Sequence, residues 1–205
     1  MGSGYPHIQR RKVRILEEGQ NMQVTQRARR KAMQSIEAEG RKSIDMMLCS
    51  ALIALYRNWG YRKWRLSRLM QETQNAWNEC AADPNTSMLM MLEQETGIEL
   101  RLEGCSKSYH DLIYLNGTAA GNVNLSPAQW YYMRAEQCKW MGVQVLGSMF
   151  LSLHRVFGFG SQRLTTVLGQ IDDIKAEFGM DSRKIRKYCE GLTGLDLTAY
   201  ISMRS

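Results

Sequence analysis

The sequence predicts an all-α protein built as a tandem duplication of a three-helix unit, with long first helices and a loop-rich linker. Three observations carry that expectation. Residues Ser50 to Leu100 can be laid over Ser148 to Leu197 with one single-residue gap near Asp83. About a dozen positions are identical, and they fall at matching landmarks. Apolar residues recur at helical spacing in both copies, and the chain has 3 prolines against 14 methionines, a balance that suits long helices and adaptable packing.

Residues 1–22 are polar and basic, with Arg10, Arg11, Lys12 and Arg14 close together, and read as a flexible basic arm. The first repeat is assigned to 23–100. Its helical character begins near Val24 and continues to Gly60, where a left-handed glycine is a natural stop. Leu48, Leu52, Leu55 and Trp59 mark one buried face, and Gly40 is a candidate kink. A second helix fits Lys63 to Ala82, burying Leu66, Leu69, Met70, Thr73, Ala76, Trp77 and Cys80. Asp83-Pro84-Asn85-Thr86 is a turn, and a short helix over Ser87 to Thr96 buries Met88, Met91 and Leu92 before Gly97.

Residues 101–125 are the linker. Alternation of Ile98, Leu100 and Leu102 with Glu99, Arg101 and Glu103 predicts a short strand at its start, and Asn116 to Asn124 is a loop by composition. The second repeat is assigned to 126–205. Ser126-Pro127 opens a helix that runs to Phe157, with serine as N-cap and proline at the first helical position. There Leu146, Phe150, Leu153 and Phe157 stand for Leu48, Leu52, Leu55 and Trp59. Leu164, Val167, Leu168, Ile171, Ile174 and Phe178 form the next apolar face. Asp181 or Ser182 caps a last helix carrying Ile185, Tyr188 and Cys189 and ending at Gly191 or Gly194. Each unit is small, so the copies are expected to pack on each other as two lobes.

The net charge of +7 is unevenly placed. Residues 1–70 hold 15 Lys/Arg against 5 Asp/Glu, a net of +10, and residues 71–205 hold 12 against 15, a net of −3. That asymmetry points to an anionic partner, nucleic acid before anionic lipid, the alternative being a solvated basic face. No run is long and apolar enough for a transmembrane helix, and MGSGYP lacks an apolar signal core, so a cytoplasmic location is expected. Cys49, Cys80, Cys105, Cys138 and Cys189 form no C-x-x-C pair and read as reduced thiols. They do not cluster with His7, His110 or His154 at ligand spacing, so no metal is expected.

No catalytic motif is present: no P-loop, no G-x-G-x-x-G after a strand, no H-E-x-x-H and no G-x-S-x-G. The expectation is therefore no enzyme, no catalytic residues and no cofactor. The sharpest repeated element is aromatic–Gly–aromatic–x₃–Arg–Leu. It is Trp59-Gly60-Tyr61 with Arg65-Leu66, and again Phe157-Gly158-Phe159 with Arg163-Leu164. One reading is a tight helical corner wedged by aromatics; the other is a recognition edge in which rings stack and arginines bind anions. Arg57 with Arg155, Arg65 with Arg163, Glu79 with Glu177 and Glu93 with Glu190 also repeat, either as internal Arg–Glu pairs or as a pair of arginines facing an anionic ligand.

The first copy adds Arg62, Lys63, Trp64 and Arg68 around this corner, where the second has only Arg155 and Arg163. Cations interleaved with rings suit phosphate contact with base stacking, and equally a protein–protein hot spot. The candidate partner-binding or nucleic-acid-binding residues are therefore Arg27, Arg29, Arg30, Lys31, Arg57, Arg62, Lys63, Trp64, Arg65 and Arg68.

The corner motif, together with the closing Thr96–Leu100 and Thr193–Leu197 segments, resembles small helical accessory proteins of phages and mobile elements of Gram-positive gut bacteria. The likeness covers the two repeats. It implies an anti-CRISPR-type inhibitor, whose partner would be a CRISPR effector or other nucleoprotein complex of the bacterial host cell. The alternatives are a direct DNA- or RNA-binding protein of phage replication or transcription, and an oligomeric scaffold that forms a homodimer.

Overall fold

The chain begins and ends its described part with helices. The computed structural model describes the backbone of residues 6–82, 88–100 and 127–198. Side chains are described for Arg27 and for residues 30–80, 88–100 and 140–198. Among the described residues six helices follow in order: α1 Pro6–Trp59, α2 Lys63–Ala82, α3 Met88–Thr96, α4 Pro127–Phe157, α5 Ser161–Glu177 and α6 Ser182–Thr193. No strand occurs among the described residues. The linker, the Asp83–Thr86 turn and the Ser126 cap lie outside them.

The helix starts and stops follow the local chemistry. Gly60 and Gly158 sit at φ 67° and 68°, in the left-handed region that glycine tolerates without a Cβ clash. The Tyr61 amide then donates to the Leu55 carbonyl at 3.1 Å, and the Phe159 amide to Leu153 at 3.0 Å, so both corners satisfy the same orphan carbonyl. Asp181 caps α6 by accepting from the amides of Arg183 and Lys184. Thr96 and Thr193 close the last helices identically: each hydroxyl donates to the carbonyl four residues back and accepts the amide two residues on.

α1 extends further than periodicity suggests. It holds 54 residues, about 80 Å at 1.5 Å per residue, and begins at Pro6, so positions 6–22, expected as an arm, are part of it. Proline fits the first helical position because its missing amide would have been unpaired there anyway. Ile98 to Leu100 is not a strand. Ile98 and Leu100 are buried with Glu99 exposed, but no strand among the described residues pairs with them, and positions 101–103 of the expected strand lie outside those residues; Leu195, Asp196 and Leu197 repeat the arrangement.

The halves pack on each other by crossing. α2 and α3 pack against α4, while α5 and α6 pack against α1, and the two long helices pack on each other. The short helices of each half therefore lie on the long helix of the other half. One continuous core results, running from Ile44 to Leu197.

This crossing explains why the apolar stripes read from sequence were too narrow. From Leu48 to Leu55 every residue of α1 is buried, as is every residue from Val145 to Leu153 of α4. A helix enclosed by neighbours needs small residues on its remaining sides as well as large ones on its main face. Ser50, Ala51 and Ala54 serve α1 in this way, and Gly142, Gly147, Ser148 and Ser152 serve α4. At Gly142 the helices are in backbone contact: an added Cβ would stand 2.4 Å from the Ser43 carbonyl oxygen.

Candidate cationic-aromatic interface

The two glycine corners meet at one end of the bundle, where α1 and α4 stop. The ring before one glycine packs on the ring after the other. Trp59 lies 4.9 Å from Phe159, and Tyr61 lies 5.6 Å from Phe157, centroid to centroid. Tyr61 and Phe159, which occupy aligned positions, meet edge-on at 6.2 Å. The four rings thus form a single cluster with corresponding contacts on either side. Trp59 also donates its indole N–H to Gln170 on α5 at 2.9 Å. His154, half-buried beside the cluster, places Nδ1 2.9 Å from the Phe159 carbonyl oxygen. A carbonyl only accepts, so Nδ1 carries the hydrogen.

The arginines around this cluster divide into two kinds. Arg57 donates to both carboxylate oxygens of Glu177, at 2.7 and 3.1 Å, and to the Tyr188 hydroxyl at 2.9 Å. Arg155, at the aligned position, bridges Glu79 and Glu95. Both pairs cross from the end of a long helix to a short helix of the other half. Hydrogen bonds to these carboxylates, above all, raise the pKa values of Arg57 and Arg155, and Glu177 and Glu95 titrate below the usual carboxylate value. Arg57, singled out from sequence as a partner contact, is thereby occupied within the molecule. Tyr188, on α6 and 37% exposed, serves as its second acceptor.

The second kind has no carboxylate partner among the described residues. The guanidinium of Arg62 lies 4.6 Å from the Tyr56 centroid, and that of Arg65 lies 4.6 Å from Tyr61. Arg68 stands 5.7 Å from Phe157 and Arg163 5.9 Å from Phe159. Stacking on a ring face holds a guanidinium in place without neutralising it. Lys63 is exposed, its side chain running beside Gly194, and Trp64 is exposed at 68%. A tryptophan that open contributes nothing to the core, and it offers a flat ring within a group of unneutralised cations.

Arg62, Lys63, Trp64, Arg65 and Arg68 follow Gly60 at one corner, three of them with guanidiniums on rings. Arg163, the repeat of Arg65, joins them because the corners meet. Arg27, Arg30 and Lys31 are exposed on α1, and the Arg29 side chain lies outside the described ones. From Lys31 to Trp59 the helix rises about 40 Å, so these residues form a separate cationic stretch.

Among the described residues, no group of three or more His, Cys, Asp and Glu side chains is placed to hold a metal ion, and no helix is long and apolar enough to cross a membrane. Cys49, Cys80 and Cys189 are buried free thiols; a hydrogen bond with Cys189, then burial, pushes the Cys49 thiol well above the usual thiol range, and burial raises that of Cys80. The side chains of Cys105 and Cys138 lie outside the described ones. No family model matches the chain, and neither a curated protein nor a solved structure is similar to it.

Proposed function

We propose that this chain is a non-enzymatic binding protein, built by tandem duplication of a three-helix unit, whose corner rim engages the nucleic acid of a nucleoprotein complex. Its role would be that of an anti-CRISPR-type inhibitor carried by a mobile element and acting in the cytoplasm of a bacterial host. Supporting the duplication are the aligned corners, closing threonines and crossed ion pairs, which recur at corresponding positions. Supporting the binding role is one observation above all. Arg62, Arg65, Arg68 and Arg163 lie on rings at or beside the paired corners, with Lys63 exposed next to them and no carboxylate among the described residues to neutralise any of the five, and Trp64, between Lys63 and Arg65 in sequence, is exposed. Phosphates attract such a cluster, and an open indole stacks on unpaired bases.

The test is to add the protein in excess to a purified Cas9–guide complex and measure target binding and cleavage, alongside Arg62→Glu/Arg65→Glu. Inhibition by the parent chain and its loss in the variant are expected. Unimpaired cleavage would reject the inhibitor reading. A second reading, direct binding to DNA or RNA, is favoured by the exposure of Trp64, which suits single-stranded bases without any protein partner. Retention of a labelled oligonucleotide by the purified chain, with no effect on the nuclease, would select it.

A further inference from the structure

Within the ring cluster lies a polar atom without a partner among the described residues. The Tyr61 hydroxyl is buried, in a residue 2% exposed, and makes no hydrogen bond to any of them. A buried unpaired hydroxyl is costly, and such atoms call for an explanation. Packing does not supply one. Phe159 occupies the aligned position, is 4% exposed, and fills its side of the ring cluster without a hydroxyl.

Two guanidiniums lie on this ring pair. Arg65 lies against the Tyr61 ring and Arg163 against Phe159, whose ring meets Tyr61 edge-on. Burial raises the pKa of the Tyr61 hydroxyl while the charges of Arg65 and Arg163 act on it in the opposite sense. The net shift is upward, so at neutral pH the group is an O–H donor. Both arginines are exposed and lack a carboxylate among the described residues. Three donors from the two halves are therefore held on one pair of touching rings, and none has a carboxylate acceptor among the described residues.

We infer that Tyr61, Arg65 and Arg163 form a phosphate site at the junction of the two corners. The inference rests on the nucleic-acid reading above and deepens it: the occupant is a backbone phosphodiester of the bound strand. Its non-bridging oxygens accept from the two guanidiniums, which swing off the ring faces as they close on it, and from the Tyr61 hydroxyl beneath. Trp64, adjacent to Arg65 in sequence and open to solvent, stacks on a neighbouring base.

Tyr61→Phe tests the site with a residue that the fold already accepts at the aligned position. A hydrogen bond to a charged oxygen corresponds to about a tenfold change in affinity. The full-length variant is expected to bind a labelled single-stranded oligonucleotide about tenfold more weakly, with an unchanged salt dependence, because a neutral hydroxyl releases no counterion. Its thermal midpoint should rise, since the unpaired hydroxyl is gone. Unchanged affinity, with the midpoint raised, would overturn the phosphate site; if Arg62→Gln/Arg68→Gln still weakened binding, the nucleic-acid reading would survive. Should the parent chain bind no oligonucleotide, that reading fails, and inorganic phosphate at matched ionic strength decides the site alone. Phosphate raising the midpoint of the parent but not of Tyr61→Phe would support it, and equal behaviour of the two would overturn it.

Discussion

Salt dependence separates the two kinds of arginine described here. Five cations of the rim, Arg62, Lys63, Arg65, Arg68 and Arg163, are free of carboxylates among the described residues, whereas Arg57 is held by Glu177. Each phosphate neutralised on a single strand contributes about −0.7 to the slope of log affinity against log salt, so five contacts give about −3.5. Raising salt from about 50 to about 200 mM should then weaken oligonucleotide binding about 100-fold. Replacing Arg62 and Arg68 with glutamine removes two contacts, bringing the slope to about −2 and the loss to about 20-fold. The double variant still folds, because each stacked guanidinium contributes only about 0.5–1 kcal/mol at an exposed ring. Arg57→Gln should leave the slope at about −3.5 while lowering stability. Fluorescence anisotropy over a salt series measures all three slopes. A parent slope near zero, or a fall in slope for Arg57→Gln equal to that of the double variant, would refute the division of the rim.

Two further predictions concern the fold. Gly142→Ala forces a Cβ to within 2.4 Å of a backbone oxygen, so the long helices must separate, and urea unfolding should show a net loss of about 1–2 kcal/mol after the helix-propensity gain. Gly169→Ala, in α5 with nothing within 4 Å, should instead gain about 1 kcal/mol; the same change of sign in both variants would contradict the close approach of α1 and α4. The third prediction concerns acid stability. Arg155 lowers the pKa of Glu95 below its ordinary 4.5, so this stabilisation is complete above that value and fades as pH falls through the lower folded value. Arg155→Met should remove that fading, so the stability difference between parent and variant should shrink in a series of unfolding curves below about pH 4.5. A difference independent of pH there would argue against the Glu95 contact.

Helix positions were legible because their signals are local. Lys63 to Ala82 and Pro127 to Phe157 were read to the residue, each bounded by a glycine corner or a proline start. The partners of those helices were not. Leu66, Leu69 and Met70 show that α2 has a face to bury, but nothing in their spacing says that the receiving surface is α4 rather than α1. Crossing is a property of how the corner leaves Gly60, and only the contacts across the corner fix it. The pairing of Arg65 with Arg163 is legible as a repeat, but the rings they lie on are not, and the Tyr61 hydroxyl is unusual only once the surrounding atoms are known.

A comparison of aligned positions separates what holds the molecule together from what is available to a partner. Arg57 and Arg155, Glu177 and Glu79, Gly60 and Gly158, and Thr96 and Thr193 make corresponding contacts in both halves. Their sameness follows from packing demands that arise twice. Arg62, Lys63, Trp64 and Arg68 align with Gly160, Ser161, Gln162 and Thr166, and the second half folds into the same helix start without them. The cations and the open indole are therefore surplus to the architecture. They lie where one half departs from the other on a shared scaffold, next to the buried hydroxyl of Tyr61 that Phe159 shows the scaffold does not need. Charge and hydrophobic exposure beyond the needs of folding carry a cost in solubility and self-repulsion. Under the proposed function, their concentration at one end of the bundle answers to a partner that is anionic and offers flat rings, and nucleic acid has both properties.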